Sequence, residues 1–139
     1  RIEQRALELG FDACRFTTAA PPESAPHHDR WLSEGRQGEM AWLARNAPKR
    51  VDPNLVLPGA KSIVTLACAY DAPADLPARH EGVVARYARH ADYHDVLAEP
   101  LRQLSAFINQ LGGAGTRSLW YVDTGPLLER DLHSRSKKS

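Results

Sequence analysis

The sequence predicts an α/β fold, with α+β as the alternative, built as a small mixed sheet flanked by helices. Three features carry that expectation. Helical and strand-like segments follow one another in the order helix, strand, helices, strand, strand, long helix, strand, helix. Residues 62–70 form an almost continuous apolar run, partly β-branched, which suits a central strand buried on both faces. Leu97, Leu101, Leu104, Ile108 and Leu111 recur in alternating steps of four and three, one face of a long helix.

The remaining elements follow from local chemistry. Residues 2–9 place Ile2, Ala6, Leu7 and Leu9 on one helical face, and Gly10 stands at the usual C-terminal stop. Residues 11–16 read as a short strand. Pro21, Pro22 and Pro26 remove backbone donors and make residues 19–26 a loop. Residues 28–34 predict a short helix with Trp31 and Leu32 inward, and residues 39–46 a second one carrying Met40, Trp42 and Leu43. Pro48, Pro53 and Pro58 punctuate residues 47–58, which read as loop with one helical turn near Asn54. Residues 71–81 read as loop and 82–88 as a strand. The long helix starts near Asp92, and Pro100 is expected to kink it or delay its start; Gly112 and Gly113 end it. Residues 116–122 predict a strand, and Asp123 to Pro126 a turn, with Pro126 opening a last helix. Residues 134–139 read as a polar tail with no core-facing stripe, so the plan looks truncated at its C-terminus.

Composition narrows the function classes. The 139 residues carry 18 Lys+Arg against 17 Asp+Glu, a net charge of +1, which argues against nucleic-acid binding by bulk charge but leaves room for a local basic patch. A hydrophobic share of 42% with 25% charged residues describes a globular chain rather than a disordered one. No apolar run approaches the roughly 20 residues of a membrane span. The charged start Arg1-Ile2-Glu3-Gln4 is not a signal peptide, and the missing initiator Met implies residues in front of it. Cys14 and Cys68 make neither a disulfide framework nor a metal motif; each reads as a buried free thiol, which points to the reducing cytoplasm.

Several residues are candidates for chemistry. Asp123 falls where an apolar strand meets a helix, and ligands of α/β sheets collect at the carboxyl ends of strands. A partly desolvated Asp there keeps its proton and serves as a general acid; the alternative is an Asp that only shapes the turn. Residues 86–94 hold Arg86, Tyr87, Arg89, His90, Tyr93 and His94 in one short connection, able to hold a large polar ligand. The alternative is a solvated loop with Asp92 as helix cap. His90 and His94 have zinc-compatible spacing but lack a third ligand, and a capping Asp92 would leave His90 outside the helix. His27 and His28 are expected to be exposed. Arg45, Lys49 and Arg50 make a small basic cluster able to meet a phosphate or an RNA backbone, or simply a solvated face. Residues 112–115 lie after a helix, the wrong place for a phosphate cradle.

Four segments together carry a family resemblance: residues 38–45 (GEMAWLAR), Lys49-Arg50 through residues 57–62 (LPGAKS), Arg86-Tyr87-Ala88 with Asp92-Tyr93-His94, and residues 122–130 (VDTGPLLER). In order and spacing, from about Ala6 to Arg130, the chain resembles the N-terminal part of the epoxyqueuosine reductases. The resemblance implies an oxidoreductase that converts epoxyqueuosine to queuosine at the wobble position of tRNA, using cobalamin and two 4Fe–4S clusters. It implies Asp123 as proton donor to the epoxide oxygen. It places Arg50, Arg86, Tyr87, Tyr93 and His94 in segments near cobalamin and substrate. It further implies a cytoplasmic monomer, with tRNA and an electron donor as partners and no membrane.

The chain departs from that pattern after Arg130. The family continues into a cobalamin-binding segment and a ferredoxin-like region with clustered cysteines. This chain turns to a Ser- and Lys-rich end, and two cysteines do not make a four-cysteine cluster. Residues 1–139 are therefore expected to form the N-terminal, cobalamin-side catalytic domain, with the iron–sulfur domain outside this chain and the piece inactive alone. Two other readings stay open. One is a related corrinoid or iron–sulfur reductase with another substrate; the other is a non-enzymatic α/β binding module.

Overall fold

In the computed structural model, residues 1–70 and 84–136 are described. The element order is α1 (Ile2–Glu8), β1 (Ala13–Thr18), α2 (Ala25–Ser33), α3 (Ala41–Arg45), α4 (Ala47–Val51), β2 (Ser62–Ala67), α5 (Tyr93–Gly112) and α6 (Glu129–Ser136). Short 3-10 turns lie at Pro53–Leu55 and Arg86–Arg89. Helices thus accompany a small sheet of β1 and β2. The strands are antiparallel: Asp12 N–H reaches Ala67 O at 2.9 Å at one end, and Ala19 N–H reaches Lys61 O at 3.0 Å at the other.

The chain divides into two compact units, Arg1–Ala13 with Leu66–Val122 and Cys14–Thr65 with Asp123–Ser139. In the first, α1 packs against α5 and buries Ala6, Phe11, Leu101 and Leu104. The four-and-three spacing of the leucines builds this face. α5 begins at a cap, where the Asp92 carboxylate accepts the His94 N–H at 2.9 Å, and it ends at Gly113, whose φ of +77° favours glycine. Pro100 lies inside α5, eight positions into it, so it does not delay the start.

The second unit buries Cys14, Ala19, Leu132 and Ser136. Its α6 does more than the sequence reading allowed. Residues 134–136 belong to that helix, and Leu132 and Ser136 are both 2% exposed, so the polar tail does carry a core-facing stripe. Arg135 donates to the carbonyls of Thr18, Ala20 and Pro21 at 3.4, 3.1 and 3.2 Å, and lies 3.5 Å from Asp131. Asp131 in turn accepts the Ser24 N–H at 2.9 Å. One turn of α6 therefore ties down the proline-rich loop before α2, whose carbonyls and N–H groups have no ladder of their own.

Other expectations need correction. Residues 47–51 are helical because Pro48 falls in the first turn, where a missing N–H costs nothing. β2 ends at Ala67 and pairs, among the described residues, only with β1; it is half-buried rather than buried on both faces. Residues 86–88 form a 3-10 turn rather than a strand, whereas residues 71–83 lie outside the described residues. Residues 116–122 have no strand partner among the described residues. The Ser118 hydroxyl instead donates to Asn109 Oδ1 at 2.9 Å and meets the Ser105 hydroxyl at 2.6 Å, both on α5. Pro126 precedes α6 by three residues instead of opening it. Cys68 is exposed, while Cys14 is buried as expected. His28 is not exposed: its side chain is 11% accessible, and Asp29 lies 3.7 Å from Nδ1. Among the described residues no helix is long and apolar enough to cross a membrane.

Candidate functional site

In the second unit the turn after residue 122 carries Asp123, and α6 follows it. Asp123 has φ = +55°, the one non-glycine residue with positive φ among the described residues. Asp tolerates this left-handed region better than most side chains, yet it still carries strain, and such strain gathers at functional sites. The residue is exposed, so the partial desolvation expected from its place behind apolar residues is not found. The perturbed proton affinity belongs to its neighbour. The Glu129 carboxyl, in the first turn of α6, holds its proton more tightly than an ordinary glutamate, first through desolvation and then through the negative charge of Asp123, with Arg50 opposing both.

Arg50 comes from the last turn of α4. Its guanidinium carbon stands 5.3 Å from the Trp42 ring centroid, within cation–π range. Its Nε is buried and has no hydrogen-bond partner among the described residues. Arg50, Asp123 and Glu129 are therefore electrostatically linked, with Trp42 alongside Arg50. Sequence reasoning found Arg50 and Asp123 but assigned no role to Glu129. The available signal was a second carboxylate six residues after Asp123, within the segment that carries the resemblance.

In the first unit a second group forms around the start of α5. The rings of Tyr87 and Tyr93 meet edge-on, with centroids 5.9 Å apart and planes at 88°. Tyr93 stacks on the His94 imidazole at 4.2 Å and 28°. Asp92 caps the helix and also meets His94 Nδ1 at 2.7 Å. These contacts hold the Asp92 carboxyl below its usual range, the hydrogen bond from the His94 backbone contributing most. His94 Nε2 is buried without a hydrogen-bond partner among the described residues. Arg86 opens the 3-10 turn that presents Tyr87, which is 52% exposed. Arg89 is turned back on the chain, its Nε donating to Val84 O at 2.9 Å. His90 lies outside α5, so it shares no helix face with His94, and no metal-ligating cluster occurs among the described residues.

The structure thus brings Tyr87, Tyr93 and His94 together in one unit, and Arg50 and Asp123 together with Glu129 in the other. Similarity to known proteins extends over all of these residues. The profile described as "Epoxyqueuosine reductase QueG, DUF1730" matches residues 50–124, which hold all six predicted site residues. An epoxyqueuosine reductase of Gloeobacter violaceus is 37% identical over 132 residues, covering 94% of this chain and 40% of the relative. A crystal structure of a selenomethionine-labelled epoxyqueuosine reductase superposes with a TM-score of 0.79 at 34% identity, over 97% of this chain and 37% of that one. A second, solved with an epoxyqueuosine-modified tRNA-Tyr stem loop, superposes with a TM-score of 0.77 at 34% identity, over 97% and 36%. The chain thus spans about 40% of the length of the curated relatives it matches. With the family profile matched over more than half its length, and with Asp123, Arg50 and the tyrosine–histidine group inside or at the edge of that match, the chain belongs to the epoxyqueuosine reductase family.

Proposed function

We propose that the natural protein carrying this sequence reduces epoxyqueuosine to queuosine in tRNA in the cytoplasm, with Asp123 as the proton donor. The observation that carries this reading is Asp123 itself: an exposed carboxyl, held at positive φ in the turn before α6, beside a second carboxyl whose proton affinity is raised. Removing the epoxide oxygen as water consumes electrons and protons in equal number. Asp123 delivers a proton to that oxygen as the C–O bond breaks, so that a neutral hydroxyl rather than an alkoxide is formed. Arg50 opposes the negative charge that the two carboxyls would otherwise build up.

The family implies cobalamin, and the residues present fit such a group. In the first unit the buried His94 Nε2 is a polar atom with no partner among the described residues, and Tyr87 is half exposed; in the second unit the buried Arg50 Nε likewise has no partner among the described residues. Tyr87, Tyr93 and His94, gathered in the first unit, would meet such a group, and the family resemblance adds Arg50 and Arg86. When bound, cobalamin supplies the reducing centre for the epoxide. The two 4Fe–4S clusters do not fit this chain: Cys14 is buried, Cys68 is exposed, and no other cysteine exists. Their ligands, the electron-donor contacts and the monomeric state belong to the longer protein.

The test is Asp123→Asn in the natural protein. Turnover of epoxyqueuosine-modified stem-loop RNA should collapse while the visible spectrum of bound cobalamin is kept. Near-normal turnover removes Asp123 from the reaction, and cobalamin binding with no turnover by the wild type favours a corrinoid reductase with another substrate.

A further inference from the structure

Residues 40–51 carry Arg45, Lys49 and Arg50 and no carboxylate. Glu39 and Asp52 flank them, and Asp52 is already engaged, accepting the Asn54 N–H at 2.9 Å. α3 and α4 pack together; Trp42 and Arg45 stand three positions apart on α3, one helix face, and Arg50 of α4 reaches the Trp42 ring. Trp42 is 47% exposed and Met40 43%, and Arg45 and Lys49 are exposed as well. An indole normally seeks burial, because its area is large and mostly apolar. Here the Arg50 guanidinium approaches the ring at 5.3 Å, which orients the indole and leaves much of it open.

We infer that the α3–α4 surface is a stacking platform for single-stranded RNA, in which an unpaired base lies on Trp42 while Arg45 and Lys49 meet adjacent phosphates. Chemistry favours this occupant over a protein surface. Open aromatic faces combined with cations are what non-specific single-strand binding requires, whereas the cores of protein interfaces are depleted in lysine. The platform also explains how a chain of net charge +1 meets a polyanion, through one local patch rather than through bulk charge. The inference rests on the tRNA reading proposed above and adds to it the residues that would take an unpaired loop nucleotide.

The experiment uses the natural protein with Trp31→Phe and Trp120→Phe, and with every tryptophan beyond this sequence likewise replaced, so that Trp42 reports alone. The probe is an unmodified anticodon stem-loop RNA, with a fully paired duplex of the same stem as control. Stem-loop binding should quench Trp42 emission, and the duplex should not. Trp42→Ala should weaken stem-loop binding roughly 5- to 150-fold, and Trp42→Phe should keep most of the affinity, which separates stacking from a folding defect. The pair Arg45→Ala and Lys49→Ala should lower the slope of log affinity against log salt by about 2, roughly one for each phosphate no longer neutralised. Unchanged affinity in Trp42→Ala overturns the platform, as does equal quenching by the duplex. So does Trp42 emission that acrylamide cannot reach in the free protein, since another part of the longer chain then covers the ring. Turnover of the modified RNA by the parent protein separates the two ideas. Turnover with no Trp42 effect leaves the proposed function and removes the platform. A Trp42 effect without turnover does the reverse.

Discussion

The two groups of site residues are built on opposite principles. Around the start of α5 most groups of Tyr87, Tyr93, His94 and Asp92 satisfy one another: rings stack, a carboxylate caps the helix, and Asp92 is more acidic for it, while His94 Nε2 has no hydrogen-bond partner among the described residues. Around Asp123 the groups are at odds. A non-glycine residue holds a positive φ, and a neighbouring carboxyl is pushed towards its neutral form. The first arrangement suits a rigid binding surface. The second stores unfavourable interactions where a proton has to move, as catalytic sites commonly do. Variants should therefore separate the groups by the sign of their stability effects as well as by their effect on activity.

The largest effect expected is on turnover. Loss of the Asp123 proton in Asp123→Asn should reduce the rate of the natural protein by about 10²-fold or more, the usual contribution of a general acid, measured in single turnover on modified stem-loop RNA. Next comes Leu104→Ala, which hollows the α1–α5 core at a position 2% exposed. A loss of about 2–5 kcal/mol in denaturant unfolding is expected. Arg135→Ala should cost about 1–3 kcal/mol, because it strips three carbonyls of a charged donor and leaves Asp131 without its arginine. A loss near zero would mean that water replaces the clamp.

Asp123→Gly tests the strain directly. It should gain about 1 kcal/mol of stability by removing the left-handed side chain, while being as inactive as Asp123→Asn. A loss of stability would show that the Asp123 carboxyl holds its turn together.

The smallest effects are those of pH, and they run in opposite directions in the two groups. Glu129 has a raised folded-state pKa, so between its unfolded and folded values the native state binds more protons and stability falls as pH rises. Glu129→Gln should therefore raise Tm above that window and leave it unchanged below the ordinary glutamate range. Asp123→Asn should lower the Glu129 pKa and Arg50→Gln should raise it, as read by carboxyl NMR titration. Asp92 has a lowered folded-state pKa, so its contribution is present above the unfolded value and is lost as pH falls through the folded one. Asp92→Ala should lower Tm at neutral pH, and the difference should close in acid.

Much of this was legible in the sequence where the signal was local. α1 and α5 follow from apolar spacing, the Asp92 cap and the stops at Gly10 and Gly113 from short-range chemistry, and Arg50 and Asp123 from segments of a family pattern. The misreadings share a cause. Alternation in residues 116–122 expresses a preference for extended backbone, but a strand exists only where a partner supplies its ladder, and here Ser118 is held by α5. Pro48 looked like a breaker because its place in a first turn was not visible. The low exposure of His28, burial of Leu132 and Ser136, exposure of Cys68, and the raised proton affinity of Glu129 all depend on which distant segments arrive nearby.

By itself the sequence determined the helices with strong periodicity, their ends, and the chemical identities gathered at residues 50, 86–94 and 123. These rest on interactions within a few residues, which the chain carries wherever it goes. Only the tertiary structure decided that α6 clamps the proline-rich loop, that Asp123 is held at positive φ, and that the Glu129 proton affinity is raised, because desolvation and electrostatic neighbours are set by the packing of segments far apart in the chain.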